Sequence, residues 1–154
     1  MTDIRTAWEP FAFRGDWLIE PPALGEGADL ETAVLISLFS DARADDDDRL
    51  PGSADDKRGW WAGPIGSRLW LLTREKSTND VRLRARDYCR EALAWMIEDQ
   101  VADQIDVSAE WAGKINDRLD IEVAIYRDGK EILRRRYDWT WRQAQRTALI
   151  GRAA

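Results

Sequence analysis

The sequence predicts an α+β fold in one small domain, and three observations carry that expectation. Val81, Ala85, Tyr88, Cys89, Ala92, Leu93, Met96 and Ile97 form one apolar stripe at three- and four-residue spacing, the pattern of a helix with one buried side. The period then changes to two: Ile105, Val107, Ala109 and Trp111 alternate with polar residues, as do Leu119, Ile121, Val123 and Ile125. Asp128-Gly129 is a two-residue hairpin signal, so a third strand returns from Lys130 to about Trp139. Helices followed by a run of antiparallel strands define α+β architecture rather than an alternating α/β one. The 154 residues fit a single domain, long enough to bury a core without metals or disulfides.

The elements follow in order. Ile4 to Trp8 and Asp16 to Ile19 read as short strands, and Glu20-Pro21-Pro22 ends the second because proline has no amide to donate. Asp29 is suited to cap a helix over Leu30 to Phe39, where Leu30, Val34 and Leu38, with Ala33 and Ser37 alongside, have helical spacing. A buried strand is the competing reading for this apolar run. Ser40 to Arg58 holds Asp45 to Asp48 and little to bury; it reads as a long acidic loop, either solvated and mobile or docked on a partner. Gly66 to Leu72 is predicted as a short helix. Ser77 and Asp80 resemble a capping box that opens one long helix over about 78–99. On the returning strand, Leu133, Arg135, Tyr137 and Trp139 share a face, and Ile132, Arg134, Arg136 and Asp138 take the other. The tail over about 142–154 is open between a helix and an extended arm.

Composition excludes several functions. The absence of histidine removes the commonest general base and metal ligand, and with it any histidine-dependent triad. The net charge of −6 is the wrong sign for a general nucleic-acid binder. Arg134, Arg135 and Arg136 alternate between strand faces and so make no single basic stripe. Asp45 to Asp48 lacks the alternating ligands and central glycine of a calcium loop. Glu98 and Asp99 are adjacent, so their side chains diverge rather than face each other across a cleft as a glycosidase pair must. Glu110 and Asp138 each lie beside a tryptophan, an arrangement expected by chance here. The single cysteine, Cys89, cannot form an internal disulfide and suits a reducing compartment during folding. The longest apolar run, Ala33 to Ile36 resuming at Leu38-Phe39, is far short of a membrane span, and Met1-Thr2-Asp3 lacks a secretory start. The expectation is a non-enzymatic protein with no catalytic residues, cofactor or metal, and no nucleic-acid, membrane or small-molecule partner.

Nine tryptophans are many for this length, and they carry the candidate site. Trp17, Trp95 and Trp111 read as core or core edge. Trp60 and Trp61, beside two glycines and a proline, either fold over the end of the long helix or anchor a neighbouring protein. Arg68 and Trp70 pose the same choice, so the candidate interface comprises Trp60, Trp61, Arg68 and Trp70.

An ordered set of segments resembles a known family. Asp16-Trp17-Leu18 precedes Leu30-Glu31-Thr32-Ala33-Val34, which continues into Ser37-Leu38-Phe39-Ser40-Asp41-Ala42-Arg43. Arg58-Gly59-Trp60-Trp61 and Gly66-Ser67-Arg68-Leu69-Trp70-Leu71-Leu72 follow, then Ala92-Leu93-Ala94-Trp95 and Ile105-Asp106-Val107. This order resembles the Mu-like phage baseplate wedge family, related to the small wedge proteins of contractile tails once called lysozyme-like and better understood as structural. The resemblance implies a subunit of the virion tail baseplate, made and assembled in the bacterial host cytoplasm. It implies that the subunit helps link larger wedge proteins around the hub, near the sheath. A Glu-Pro-Arg triplet that contacts larger wedge subunits in the wider group reads Glu98-Asp99-Gln100 here, so only Glu98 joins the candidate interface. A regulatory adaptor of similar fold, binding a host protein, is the alternative.

Overall fold

The computed structural model describes residues 6–9, 14–17, 19–20, 23–24, 29–51, 56–61 and 63–140. The tail over 142–154 lies outside them. Four short strands come first: β1 (Thr6–Glu9) pairs antiparallel with β2 (Arg14–Trp17), and β3 (Ile19–Glu20) with β4 (Ala23–Leu24). The expected strands are present with shifted ends, β3 stops before the prolines, and β4 was not foreseen.

The apolar run after Asp29 is helix, not strand: α1 spans Asp29–Phe39. It buries Thr32, Val34, Leu35, Ser37 and Leu38 and turns Ile36 outward. Arg68–Leu72 forms a 3-10 helix, capped by the Ser67 hydroxyl, which accepts from the Leu69 amide at 3.3 Å. The cap of α2 (Asn79–Leu93) is Thr78, whose hydroxyl accepts from the Val81 amide at 3.3 Å; the start expected from Ser77 is one residue early. The single long helix also divides. At Ala94 the amide bonds to the Glu91 carbonyl three residues back, tightening the turn, and α3 (Trp95–Glu98) follows. Met96 stays fully buried while Ile97, expected on the buried stripe, is 42 % exposed.

β5 (Gln104–Ala112), β6 (Arg118–Arg127) and β7 (Lys130–Thr140) form the predicted antiparallel sheet with β6 in the centre. The β6–β7 turn places Asp128 and Gly129 at φ +52° and +69°, the doubly positive turn that matches strand twist. Leu119, Ile121, Val123 and Ile125 have no exposed surface and meet Val81, Ala85, Cys89 and Leu93 of α2 in the main core. Cys89 is a small core residue, and burial pushes its thiol far up.

The arginines of β7 divide between faces as their alternation predicts. Arg135, on the helix side, donates two hydrogen bonds to Glu31 in the first turn of α1, at 2.8 and 3.1 Å, and so ties the sheet to that helix. Arg136, on the far face, pairs with Asp120, which Arg118 also grips at 2.7 Å. Burial works to raise the Asp120 carboxyl's pKa, but hydrogen bonds from Arg118 and Arg136 outweigh it and hold the group below the usual carboxylate range.

A candidate docking surface

The segment between α1 and the 3-10 helix leaves and returns at one neck. The Ala42 amide donates to the Ser67 carbonyl at 3.0 Å, the Ser67 amide to the Ser40 carbonyl at 2.9 Å, and the Ser67 hydroxyl to the Leu38 carbonyl. Gly66 makes this crossing possible. Its φ is +105°, and a Cβ there would fall 2.4 Å from the Ser40 carbonyl oxygen.

Beyond the neck, ion pairs tie the described part of the acidic segment, 41–51 and 56–58, to itself and to the body, contacts that the reading of a solvated or partner-docked loop did not include. Arg68 reaches Asp45 at 2.6 Å, Asp48 at 2.9 Å and Glu91 of α2 at 2.6 Å, and its guanidinium lies 4.7 Å from the centre of the Tyr88 ring. Burial disfavours that charge, but Glu91 and Asp48 outweigh burial and raise the Arg68 pKa further. Lys57 pairs with Asp46, and Arg58 with Asp41. Ala44 and Leu50 pack with Trp70, Leu71 and Tyr88 in a second small core. The aspartates looked like loop residues because their basic partners lie 11 to 23 positions away in sequence.

Two residues of the expected interface, Arg68 and Trp70, make these contacts inside the domain. Trp70 is 6 % exposed, its indole N–H donates to the Ala42 carbonyl at 2.8 Å, and the Arg58 guanidinium stacks on it at 4.5 Å. The Arg68 guanidinium is already matched by three carboxylates. The Trp70 indole N–H is thus used within the domain, and so are both terminal nitrogens of Arg68, while the buried Arg68 Nε has no hydrogen-bond partner among the described residues.

Trp60 and Trp61 have the opposite surroundings. They are 51 % and 89 % exposed, with ring centres 6.1 Å apart. Gly59 brings the chain to them at φ +111°, against the backbone and Cβ of Arg43. A turn follows in which the Gly63 amide approaches the Trp60 carbonyl at 3.5 Å. This loop then forms one wall of an open groove of about 410 Å³. Pro64, Ile65 and Gly66 line that wall, Ala33, Ile36 and Ser37 of α1 another, and Ala92, Trp95 and Asp99 the third. The Trp95 indole is fixed by donating to the Ser37 hydroxyl at 3.0 Å. Ile36, Ile65 and Ile97 are each more than two-fifths exposed, at 44 %, 42 % and 42 %. Glu98 is exposed next to Asp99, and neither carboxylate takes part in an ion pair among the described residues.

Sequence reasoning missed the groove. Ile36 gave a usable signal, because it lies off the apolar stripe of α1. Ile65 gave none, since its place in the wall depends on how the chain folds around Gly66.

Other chemistry finds no such assembly. Glu110 is exposed and pairs with Arg82 at 3.2 Å. Among the described residues no three His, Cys, Asp or Glu side chains are grouped to hold a metal ion, and no helix is long and apolar enough to cross a membrane.

The chain belongs to a family of phage proteins, described as phage protein GP46, whose model matches residues 30–132. All of the groove and both exposed indoles lie inside that stretch. Two relatives show where the family occurs. The chain is 46 % identical over 115 residues to a protein of Escherichia phage Mu named baseplate protein gp46, covering 71 % of this chain and 78 % of the relative. It is 30 % identical over 115 residues to the Mu-like prophage FluMu protein gp46 of Haemophilus influenzae, covering 71 % and 76 %. No solved structure matches the chain.

Proposed function

We propose that this protein is a structural, non-enzymatic subunit of a contractile-tail phage baseplate. It helps link larger wedge subunits around the tail hub near the sheath, and it works in the virion tail after assembly in the bacterial cytoplasm. The observation that carries the reading is the 46 % identity to a protein named for the baseplate, over most of both chains. The domain supplies what such a role requires. A tight core and cross-braced loops give it a rigid body, and Trp60 and Trp61 offer a large apolar area that folding leaves exposed. Tryptophan is enriched at the centres of protein interfaces, where truncating one anchor costs about 2 kcal/mol or more.

The test is co-purification of the full chain with the larger baseplate subunits of the same phage, in wild type and in Trp60→Ala and Trp61→Ala variants. The account expects a stable complex with wild type and a loss of roughly thirtyfold in affinity with an anchor removed. Wild-type protein that joins none of those subunits, nor the assembled tail, contradicts it.

A further inference from the structure

The groove beside the indoles has a chemistry that narrows what enters it. Its lining is apolar, from Ala33 and Ile36 on α1, Ile65 opposite and Trp95 at the α2–α3 junction. Its one charged lining residue is Asp99. That carboxylate and its neighbour Glu98 are exposed and have no ion-pair partner among the described residues, whereas the aspartates of the acidic segment, Asp41, Asp45, Asp46 and Asp48, all meet a lysine or arginine. The Ser37 hydroxyl already accepts from Trp95. A small polar ligand would therefore find almost nothing to orient it. An anionic lipid surface or a nucleic acid would meet two carboxylates of its own sign.

We propose that the groove receives a segment of a neighbouring baseplate subunit with one bulky apolar side chain and, within a helical turn of it, a lysine or arginine. The apolar side chain fills the cleft between Ile36, Ile65 and Trp95. The base lies over Asp99, with Glu98 beside it. Burial of the apolar group supplies affinity, and the free carboxylates fix direction and register by charge complementarity. This inference rests on the baseplate reading and adds the partner's chemistry.

A photo-reactive benzophenone side chain placed at position 36 of the full chain, mixed with the purified larger baseplate subunit of the same phage, tests it. The cross-link should map to one apolar segment of that subunit with a lysine or arginine within four residues. Asp99→Lys should weaken the complex by more than about tenfold at low salt, because like charges then face each other, and Asp99→Asn by less. Both variants should melt with wild type, since Asp99 is exposed and has no ion-pair partner among the described residues. A cross-link to a segment flanked by acidic residues overturns the proposal, as does wild-type affinity in Asp99→Lys. A subunit that binds without cross-linking at position 36 overturns it too, and leaves the baseplate reading standing. A subunit that does not bind the wild-type chain removes both.

Discussion

Two neighbouring stretches of this chain pair an aromatic surface with charge and end in opposite places. In the 3-10 helix, Arg68 and Trp70 turn inward, where three carboxylates and the Tyr88 ring meet the guanidinium and the Ala42 carbonyl meets the indole N–H. A few residues earlier, Trp60 and Trp61 project from a glycine-flanked turn and bury far less. Residue type does not separate the pairs. What separates them is whether the domain itself supplies partners, and that is a property of the fold. A residue whose capacity is used internally contributes stability; one whose capacity is unused is available to another protein.

The widest separation should come from Trp70→Ala. Removing a buried aromatic costs about 3–5 kcal/mol. At about 2–4 °C per kcal/mol for a domain of this size, thermal melting should fall by about 6–20 °C. Trp61→Ala should leave melting within about 2 °C, since exposed substitutions stay within about 0.5 kcal/mol. Equal losses in the two variants would erase the distinction.

The acidic segment sharpens the comparison. Asp48→Ala should lower stability by about 1–3 kcal/mol, because Arg68 loses a carboxylate that lies mostly out of solvent. The same change at Asp47, which has no ion-pair partner among the described residues, should have no measurable effect on melting. If Asp48→Ala also melts with wild type, the segment is not part of the folded body.

A smaller effect concerns acid. Asp120 is held below its ordinary pKa by Arg118 and Arg136, so its contribution is complete above the unfolded value near 3.8 and fades as pH falls through the lower folded value. Asp120→Asn should therefore be less stable than wild type at neutral pH, and the gap should narrow below about pH 4. Melting curves from pH 7 to 2 check this; a gap that widens on acidification contradicts the assigned sign. The least change is chemical. Cys89 has no exposed surface and a raised thiol pKa, so alkylation in the native state should proceed only as fast as the protein opens.

Much of the fold was legible because its periods are local. The α2 stripe as far as Leu93, the alternation of β5 and β6 and the Asp128-Gly129 turn each rest on signals within a few residues, and these appear as read. The division of the long helix at Ala94 was not legible, since alanine favours helix and no local residue type marks the tightened turn there. The internal ion pairs of the acidic segment were not legible for a related reason. Asp45 and Asp48 are 23 and 20 residues from Arg68, and no local pattern announces that pairing. The candidate site was half legible: the paired indoles stood out by type, but the groove beside them exists only where α1, the Gly66 crossing and the α2–α3 junction meet.

Hydroxyl-radical footprinting of the tryptophans, in the isolated chain and in assembled phage tails, tests the central claim most directly. In the isolated chain Trp60 and Trp61 should be oxidised readily and Trp70 slowly, in line with 51 %, 89 % and 6 % exposure. On assembly the first two should become protected while Trp70 stays as it was. Trp60 and Trp61 that remain as reactive in the tail as in solution would contradict the account.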